Sequence, residues 1–209
     1  MIVDDHPMIR DGITMRISSQ EDMVVCGEAA TEDEAIELAK QLCPDLVLID
    51  LSLKKGSGIE LVKRLRLIDA TTKMLIVSTF PESLYAERIL RAGALGYLNK
   101  QETNEKLIEA IRTVLHGDRY VSAETTQRLV TIALGKREVT DDPLAALTDR
   151  ELEIFRLIGA GVSTSAIAEQ LFLSTHTVDT HRENIKKKLC AKSGAELNRQ
   201  AIQSMLENG

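Results

Sequence analysis

The sequence predicts two domains of different fold class, an α/β domain built on a parallel sheet and a smaller domain made only of helices. In the first part of the chain, short apolar runs rich in β-branched residues alternate five times with segments of helical periodicity. This alternation is typical of a parallel sheet that is covered by helices on both faces. From residue 144 onward the helical periodicity continues without a strand pattern, so the second domain is predicted to be all-helical.

The α/β domain is predicted to contain five strands and five helices. The strands are expected at 1–3, 23–29, 45–49, 73–78 and 95–98, and the helices at about 7–19, 31–42, 58–68, 82–93 and 102–116. Thr31 with Glu34 forms a capping box at the second helix, and Gly93 and Gly117 stand where helices are expected to end. The first strand has only three residues before Asp4, which is short for a central strand, and we expect it to begin upstream of this sequence.

A connector is predicted between the two domains at 118–143. It contains a predicted helix at 122–135, then a charged stretch and two aspartates before Pro143, a composition that favours a mobile hinge. Four helices are expected after it, at about 148–160, 164–171, 175–190 and 193–207, with Thr148 and Ser174 as caps of the first and third. The predicted domains are therefore 1–117, 118–143 and 144–209.

Composition indicates an intracellular protein with two partners of different chemistry. The formal net charge of −6 is uneven, since residues 1–117 carry net −5 and residues 144–209 carry net 0 with a local basic cluster. Cys26, Cys43 and Cys190 follow no disulfide or metal-ligand spacing, and we expect them to be buried in a protein of the reducing cytosol. No signal-peptide pattern or membrane-length apolar run occurs, which predicts a soluble, cytoplasmic protein with no membrane partner.

Three aspartates are predicted to meet at one edge of the sheet. Asp4 and Asp5 follow the first strand and Asp50 follows the third, and the carboxyl ends of parallel strands open onto a common crevice. Converging carboxylates repel one another unless a cation lies between them, and Mg²⁺ prefers oxygen ligands together with a phosphate. The sequence therefore predicts a magnesium site. The alternative is that these acids are solvated loop residues, as strand-end aspartates commonly are.

A hydroxyl and an amine are predicted at the same edge. Ser78 closes the fourth strand and Lys100 follows the fifth. Beside carboxylates these groups suit a phosphoryl group, because Ser78 could donate to one phosphoryl oxygen and Lys100 could pair with another. Asp50 could then be the nucleophile that attacks a phosphorylated donor. The alternative for Ser78 is a simple strand cap.

Residues 1–117 resemble the receiver domain of bacterial response regulators. The resemblance lies in elements that keep the family's order and spacing: Val3-Asp4-Asp5, Asp50 after a Leu/Val/Ile run, Gly58, Ser78, Gly93-Ala94-Leu95-Gly96-Tyr97 and Lys100. It implies a flavodoxin-like fold, with a parallel sheet in the order 2-1-3-4-5. It also implies phosphorylation by a sensor histidine kinase, with Mg²⁺ as the cofactor.

The same resemblance assigns roles to individual residues. It makes Asp50 the site of phosphorylation, and it implies a set of metal ligands: Asp5 directly, Asp4 through water, Asp50, and the main-chain carbonyl of Ser52. The phosphoryl-binding and switch residues that it implies are Ser78, Tyr97 and Lys100. The alternative for Tyr97 is a plain core residue. Lys54-Lys55 stand where the family usually has Met-Pro, so this loop is expected to be more basic and more mobile.

Residues 166–189 have the spacing of a helix-turn-helix. A short helix is followed by a turn and by a longer helix whose Val178, Ile185 and Leu189 are expected to face inward. The longer helix begins at Ser174, so its free amides and its dipole could meet a DNA phosphate. Basic residues near its end could contact further phosphates and release counterions, although a solvated helix face is the alternative for any lysine cluster.

Nearly all of 147–207 resembles the LuxR-type output domain of the NarL/FixJ regulators. The matching segments are Leu147-Thr148-Asp149-Arg150-Glu151, residues 165–171 and residues 177–189. The resemblance implies that double-stranded DNA is bound through Ser174, Thr175, Thr177, Asp179, Thr180, Arg182, Glu183, Lys186 and Lys187. It also implies that the last helix pairs two protomers through Ala201, Ile202 and Met205, the alternative being that this helix packs within its own domain.

Two acids depart from the basic residues that the family often carries on its DNA-facing helix. Asp179 could accept a hydrogen bond from a cytosine amino group in the major groove. Glu183 is expected to pair with Lys187 one helical turn later. DNA binding is therefore predicted without an inherited target sequence.

The sequence thus predicts a two-component response regulator, not an enzyme, that forms a homodimer when phosphorylated and controls transcription. A magnesium-dependent phosphatase or phosphotransferase is a second hypothesis. Such aspartyl-phosphate enzymes need a second acid after the nucleophile strand, and the sequence there is Asp50-Leu51-Ser52. A third hypothesis is a phosphorylation-independent DNA-binding regulator whose receiver serves only as a dimerisation module.

Overall fold

The structure, a computed structural model, describes residues 1–102, 104–134 and 143–208. The chain separates into two compact units, Met1–Gln127 and Arg128–Gly209. Most of the predicted hinge, residues 135–142, lies outside the described residues, so the three predicted domain limits stay a prediction. Within the described ranges, no helix has the length and apolar character that crossing a membrane requires.

The first unit is an α/β fold around one five-stranded sheet. Its strands lie in the order β2-β1-β3-β4-β5, as predicted, and each neighbouring pair is parallel. The strands are β1 (Ile2–Val3), β2 (Glu28–Ala29), β3 (Leu46–Ile49), β4 (Lys73–Ser78) and β5 (Gly96–Asn99). The helices are α1 (Pro7–Ser18), α2 (Glu32–Leu42), α3 (Gly58–Ile68), α4 (Glu82–Ala92) and α5 (Asn104–His116), and α6 (Ala123–Ala133) follows.

The central strands are buried because they are apolar along nearly their whole length. All four residues of β3 are buried, and so is every residue of β4 after Lys73. Strands without polar alternation are typical of a parallel sheet with helices on both faces. The polar residues that follow these strands are therefore collected at the carboxyl edge of the sheet.

Strand β2 is shorter than the predicted run at 23–29. It consists of Glu28–Ala29, which pair with Ile2 and Val3. Its one neighbour, β1, consists of Ile2 and Val3 alone. A strand is held by the hydrogen-bonding groups of its neighbour, so the apolar residues before Glu28 lack a partner for a longer ladder.

The second unit is all-helical, as predicted. A short 3₁₀ helix, Pro143–Ala146, precedes α7 (Asp149–Gly159), α8 (Thr164–Gln170), α9 (Thr175–Lys188) and α10 (Gly194–Asn208). The predicted caps are present, since Thr148 and Glu151 form a reciprocal capping box and the Ser174 side chain accepts the Thr177 N–H. A Cβ at Gly159 would lie 2.6 Å from the carbonyl oxygen of Ala201, so α7 and α10 approach closely there.

Glu151 links α7 to α9 through a charged hydrogen bond. Its nearly buried carboxylate accepts from the Thr148 N–H at 2.8 Å and from Lys188 Nζ at 2.6 Å. Burial acts to raise the pKa of Glu151, but Lys188 and Thr148 together hold it below its usual value of 4.5. Because the pKa is lower in the folded state, the charged form stabilises the fold above about pH 4.5, and this contribution is lost as the pH falls through the folded pKa.

We expect Glu151→Gln to lower the free energy of unfolding of the second unit by about 2 kcal/mol near pH 7. Glutamine keeps the capping geometry but removes the charge that Lys188 meets, so the difference should shrink below about pH 4. Calorimetric melting at both pH values measures this. Glu183→Gln is the matched control. The exposed Glu183 pairs with Lys186 of its own helix, and its replacement should leave the melting temperature unchanged. Equal melting of the parent and Glu151→Gln at neutral pH would contradict the expectation.

The prediction of buried cysteines is wrong. Cys26, Cys43 and Cys190 are all free thiols, and all three are exposed. Cys43 directly follows the end of α2, and Cys190 lies two residues after the end of α9. Both have left-handed conformations, with φ of 44° and 54°. Chain reversals of this kind lie at the surface, which explains the exposure of these two side chains.

Candidate functional site

The three predicted carboxylates meet at the carboxyl edge of the sheet. The Asp50 N–H donates to the carbonyl of Val3 at 2.8 Å, which places the end of β3 beside the end of β1. Asp4, Asp5 and Asp50 are all buried, and together with His6 each offers a ligand atom within 4.8 Å of the others. The alternative of solvated loop acids does not describe this cluster, because buried carboxylates require partners.

Lys100 supplies the positive charge of the cluster. Its Nζ lies 2.6 Å from Asp4 Oδ2 and 3.1 Å from Asp50 Oδ2. The residue is positioned by the sheet, since its N–H donates to the carbonyl of Ser78 at 2.8 Å. The sequence placed Lys100 at this edge, and the structure adds that it bridges two of the three acids.

Asp4 and Asp5 differ in how far their oxygens are already engaged. Asp4 Oδ1 accepts from the His6 N–H at 2.8 Å while its Oδ2 accepts from Lys100. Asp5 Oδ1 is buried and has no hydrogen-bond partner among the described residues. The nearest cationic group to it, His6 Nδ1 at 2.9 Å, is an ionic partner only when the imidazole is protonated. A buried oxygen with open coordination fits a hard cation, so the donor set of this cluster suits Mg²⁺.

The environment of Asp50 favours the neutral form of its carboxyl group more strongly than the environment of an ordinary aspartate does. Burial raises its pKa above the usual value, and the neighbouring Asp4 acts in the same direction. Lys100 and a hydrogen bond from the Ser52 N–H oppose this rise. A cation bound at the cluster would act in the same sense as Lys100, because a nearby positive charge favours the ionised form.

Ser78 and Tyr97 are connected through Phe80 on the loop after β4. Ser78 is fully buried, and its Oγ accepts a long hydrogen bond of 3.4 Å from the Phe80 N–H. The Tyr97 hydroxyl donates to the Phe80 carbonyl at 2.6 Å. Burial raises the pKa of Tyr97, which a hydrogen bond with Ser78 partly opposes. Tyr97 is therefore buried as the core alternative expected, but it also carries a polar link to Ser78.

The segment before α6 runs beside the strand that carries Tyr97. The Tyr97 N–H donates to the carbonyl of Tyr120 at 2.8 Å, and the Tyr120 N–H donates to the Leu95 carbonyl at 3.1 Å. Two residues later, the Ser122 N–H donates to Glu82 Oε1 of α4 at 2.7 Å. The start of the predicted connector is thus joined to both β5 and α4, which no sequence pattern indicated.

The exposed face of α9 carries part of the predicted DNA-binding set. Val178 and Ile185 are buried as expected, and this orients the helix. The exposed predicted residues are Ser174, Thr175, Asp179, Thr180, Glu183 and Lys187, while Thr177, Arg182 and Lys186 are half-buried. His176 lies on the same exposed face but was not part of the predicted set, although its spacing from Asp179 and Thr180 places it on the same side of the helix.

Charge pairing on α9 differs from the prediction in one respect. Glu183 was expected to pair with Lys187, but its carboxylate contacts Lys186 Nζ at 2.8 and 3.0 Å. Both spacings bring side chains together on a helix, so the sequence alone does not decide between them. Lys187 is exposed, as is Asp179 on the same helix.

The predicted dimerisation residues of α10 have different environments. Ala201 is buried against Gly159 of α7, so it fills the interior of its own unit. Met205 is half-buried beside the same glycine. Ile202 is exposed, and Leu206 on the next turn is exposed as well. A contact with a second protomer through α10 stays a prediction, and it would depend on Ile202 and Leu206.

Comparison with known families matches both units. Residues 1–112 match the family described as response regulator receiver domain. Residues 145–201 match the family described as bacterial regulatory proteins, luxR family. The two matches fall on the α/β unit and on the helical unit.

Relatives and solved structures extend this similarity over the whole chain. The oxygen regulatory protein NreC of Staphylococcus carnosus (strain TM300) is 37% identical over 211 residues, which cover 99% of this chain and 97% of that protein. A LuxR-family two-component response regulator from Aurantimonas sp. SI85-9A1 is similar with a TM-score of 0.59 and 34% identity, over 64% of this chain and 96% of that chain. RcsB from Salmonella enterica serovar Typhimurium, bound to promoter P1flhDC, shares the fold with a TM-score of 0.72 at 23% identity, over 96% of both chains.

Proposed function

This chain belongs to the two-component response regulators that join a receiver domain to a LuxR-type DNA-binding domain, and we propose that phosphorylation of Asp50 by a histidine kinase controls its binding to DNA and hence transcription. Proteins of this family are transcription factors rather than enzymes. The observation that carries the proposal is the Lys100 ammonium, which bridges Asp4 and Asp50 at the carboxyl edge of the sheet.

The proposed chemistry is attack of an Asp50 carboxylate oxygen on the phosphorus of a phosphorylated donor. A new bond forms between Asp50 and the phosphorus, and the donor leaves with the electrons of its own bond to the phosphorus. Lys100 Nζ, 3.1 Å from Asp50 Oδ2, would then pair with a phosphoryl oxygen. Ser78, at the end of the neighbouring strand, would donate a hydrogen bond from its hydroxyl group to a second phosphoryl oxygen.

Mg²⁺ is the cofactor proposed for this site. Asp5, Asp50 and the main-chain carbonyl of Ser52 would hold it directly. For Asp5 this is supported by its Oδ1, which is buried without a hydrogen-bond partner in the described chain. Asp4 would act through water, since both of its carboxylate oxygens already accept hydrogen bonds. The ion would supply positive charge that offsets the repulsion between Asp50 and the incoming phosphoryl group.

The proposed switch uses the link between Ser78, Phe80 and Tyr97. If Ser78 turns its hydroxyl toward the phosphoryl group, its long bond with the Phe80 N–H is released and the loop after β4 can move. Tyr97 would follow, because its hydroxyl is bonded to the carbonyl of Phe80. The hydrogen bonds that connect β5 to Tyr120 and α4 to Ser122 would transmit this movement to the start of α6.

Binding of double-stranded DNA is proposed for the exposed face of α9. The helix begins at the Ser174 cap, where free amides favour a phosphate. Lys187, exposed near the other end, would contact a second phosphate, and Asp179 and Thr180 between them would face base edges. In the phosphorylated state a homodimer is proposed to bind two half-sites.

Intact mass measurement with a small phosphodonor tests the proposal. The parent chain, incubated with acetyl phosphate and Mg²⁺, is expected to gain one phosphoryl group, and Asp50→Asn is expected to gain none. Asp11→Asn, a change to an exposed acid of α1, is the matched control and should behave like the parent. A parent chain that gains no phosphoryl group, or an Asp50→Asn chain that still gains one, would contradict the proposal.

The same samples test whether phosphorylation controls DNA binding. DNA fragments selected by the parent chain should bind the phosphorylated form more tightly than the unphosphorylated form. Asp50→Asn should bind them with the same affinity whether or not the phosphodonor is present. Equal affinity of the two forms of the parent would instead support a regulator that binds DNA independently of phosphorylation.

A further inference from the structure

A buried acid outside the aspartate cluster holds the loop that follows Asp50. Glu32 is the first residue of α2, and its side chain is only 9% exposed. Its Oε2 accepts a hydrogen bond from the Ser57 N–H at 3.2 Å, and its Oε1 accepts one from Arg64 Nη1 at 2.7 Å. Glutamate is seldom this buried unless it is paired, and here one partner is the main chain of the loop itself.

The loop is shaped to receive this side chain. Gly56 has φ of +93°, a left-handed conformation that glycine adopts without strain. A Cβ at Gly56 would lie 2.7 Å from Cβ of Glu32, closer than two carbon atoms can approach without displacement. The glycine therefore permits both the backbone turn and the direct packing of Glu32 against it.

The anchored end of the loop lies against the backbone that follows Asp50. The Gly58 N–H, next to Ser57, donates to the carbonyl of Leu51 at 3.3 Å. A Cβ at Gly58 would lie 2.6 Å from the Cα of Leu51, so α3 begins in tight contact with this backbone. Any shift of Ser57 is therefore passed directly to the residues beside Asp50.

One proposed metal ligand and one lysine near the aspartate cluster lie on the loop between these contacts. The main-chain carbonyl of Ser52 is a proposed Mg²⁺ ligand, and Lys54 Nζ lies 4.0 Å from Asp5 Oδ2. Neither residue belongs to a helix or strand, so their positions depend on how firmly the loop is held. Glu32 supplies such a fixed point from a different element, α2.

We propose that Glu32 is a positioning residue of the phosphorylation site, which holds the loop 51–57 so that the Ser52 carbonyl is kept at the metal position. This inference rests on the proposed function, because it concerns the same Mg²⁺ site. Glu32 itself contacts neither the ion nor the phosphoryl group. Residues that hold metal ligands in place in this way change metal affinity by about 10- to 100-fold when they are replaced.

The test compares Glu32→Ala and Glu32→Gln with a matched control, Glu34→Ala. Glu34 lies on the same helix and its carboxylate accepts from the Ala30 N–H at 2.8 Å, so its removal changes the charge equally without touching the loop. The affinity for Mg²⁺ is measured by calorimetry on the full chain without a phosphodonor. Hydrogen exchange of the amides at 51–57 and the rate of phosphorylation by acetyl phosphate are measured on the same samples.

We expect Glu32→Ala to weaken Mg²⁺ binding about tenfold and to speed amide exchange at 51–57, while Glu34→Ala matches the parent. Glu32→Gln keeps an acceptor for the Ser57 N–H and should show a smaller loss. If Glu32→Ala does not fold, Glu32→Gln and Gly56→Ala decide, and both should weaken Mg²⁺ binding. Parent-like Mg²⁺ affinity in every folded variant overturns the inference, whereas a parent chain that is not phosphorylated overturns the proposed function instead.

Discussion

Replacing Lys100 by methionine is expected to slow phosphorylation by acetyl phosphate about a hundredfold, the loss typical of a preorganised donor at a site of developing charge. Methionine keeps most of the side-chain volume but removes the ammonium that lies 2.6 Å from Asp4 and 3.1 Å from Asp50. The incoming phosphoryl oxygens then meet three carboxylates without that partner. The rate is measured by intact mass over time at saturating Mg²⁺.

The affinity of Lys100→Met for Mg²⁺, unlike its rate of phosphorylation, should not fall. Lys100 and a bound cation repel each other, so removing the ammonium should leave Mg²⁺ binding unchanged or make it tighter. Calorimetric titration of Lys100→Met with Mg²⁺ measures this. The two effects together distinguish a lost phosphoryl partner from a collapsed site, since collapse would weaken both.

Lys54→Met is the matched control for this experiment. Lys54 is also a lysine near the cluster, with Nζ 4.0 Å from Asp5 Oδ2, but 73% of its side chain is exposed. Water screens such a charge, and we expect only a small change in rate. If Lys54→Met slowed phosphorylation as much as Lys100→Met, the proposal that Lys100 pairs with a phosphoryl oxygen would be contradicted.

The sequence could place the aspartate cluster because that cluster depends on sheet topology. Asp4, Asp5, Asp50 and Lys100 each follow a strand, and parallel strands end at the same edge. No similar rule covers Glu32, whose contact with Ser57 depends on the left-handed turn at Gly56. Loop conformations of this kind follow from tertiary contacts rather than from periodicity.

The helical unit likewise combines features that the sequence predicts with contacts that it does not. Periodicity and caps predicted the four helices and the inward faces of Val178 and Ile185. The partner of Glu183 was not predictable, because residues three and four positions on are both within reach of it. The exposure of Cys43 and Cys190 was missed for a related reason, since burial statistics for cysteine ignore the left-handed turns in which these two lie.

Replacing Gly58 by alanine is expected to damage both the stability and the chemistry of the first unit. A Cβ at this position would lie 2.6 Å from the Cα of Leu51 and would also meet the carbonyl oxygen of Asp50. Both are backbone atoms, which cannot rotate away as a side chain can. Either α3 or the backbone beside Asp50 must move, and overpacking of this kind lowers the free energy of unfolding by about 3 kcal/mol.

Gly12→Ala makes the same chemical change where there is room for it. Apart from its chain neighbours and the nearby backbone of α1 itself, no described atom lies within 4 Å of a Cβ at Gly12. Because Gly12 is inside α1, alanine should raise the free energy of unfolding by about 0.5 to 1 kcal/mol. Tyrosine fluorescence during urea denaturation reports on the first unit alone, because the chain has no tryptophan and its three tyrosines all lie within Met1–Gln127.

Phosphorylation separates the two consequences of Gly58→Ala. At a temperature and urea concentration where the variant is fully folded, a purely global effect would leave the rate of phosphorylation at the parent value. We expect the rate to remain low under those conditions, because the displaced atoms include the backbone of Asp50 itself and a small misplacement of a reacting group is costly. A folded Gly58→Ala chain that is phosphorylated as fast as the parent would show that the start of α3 does not position Asp50.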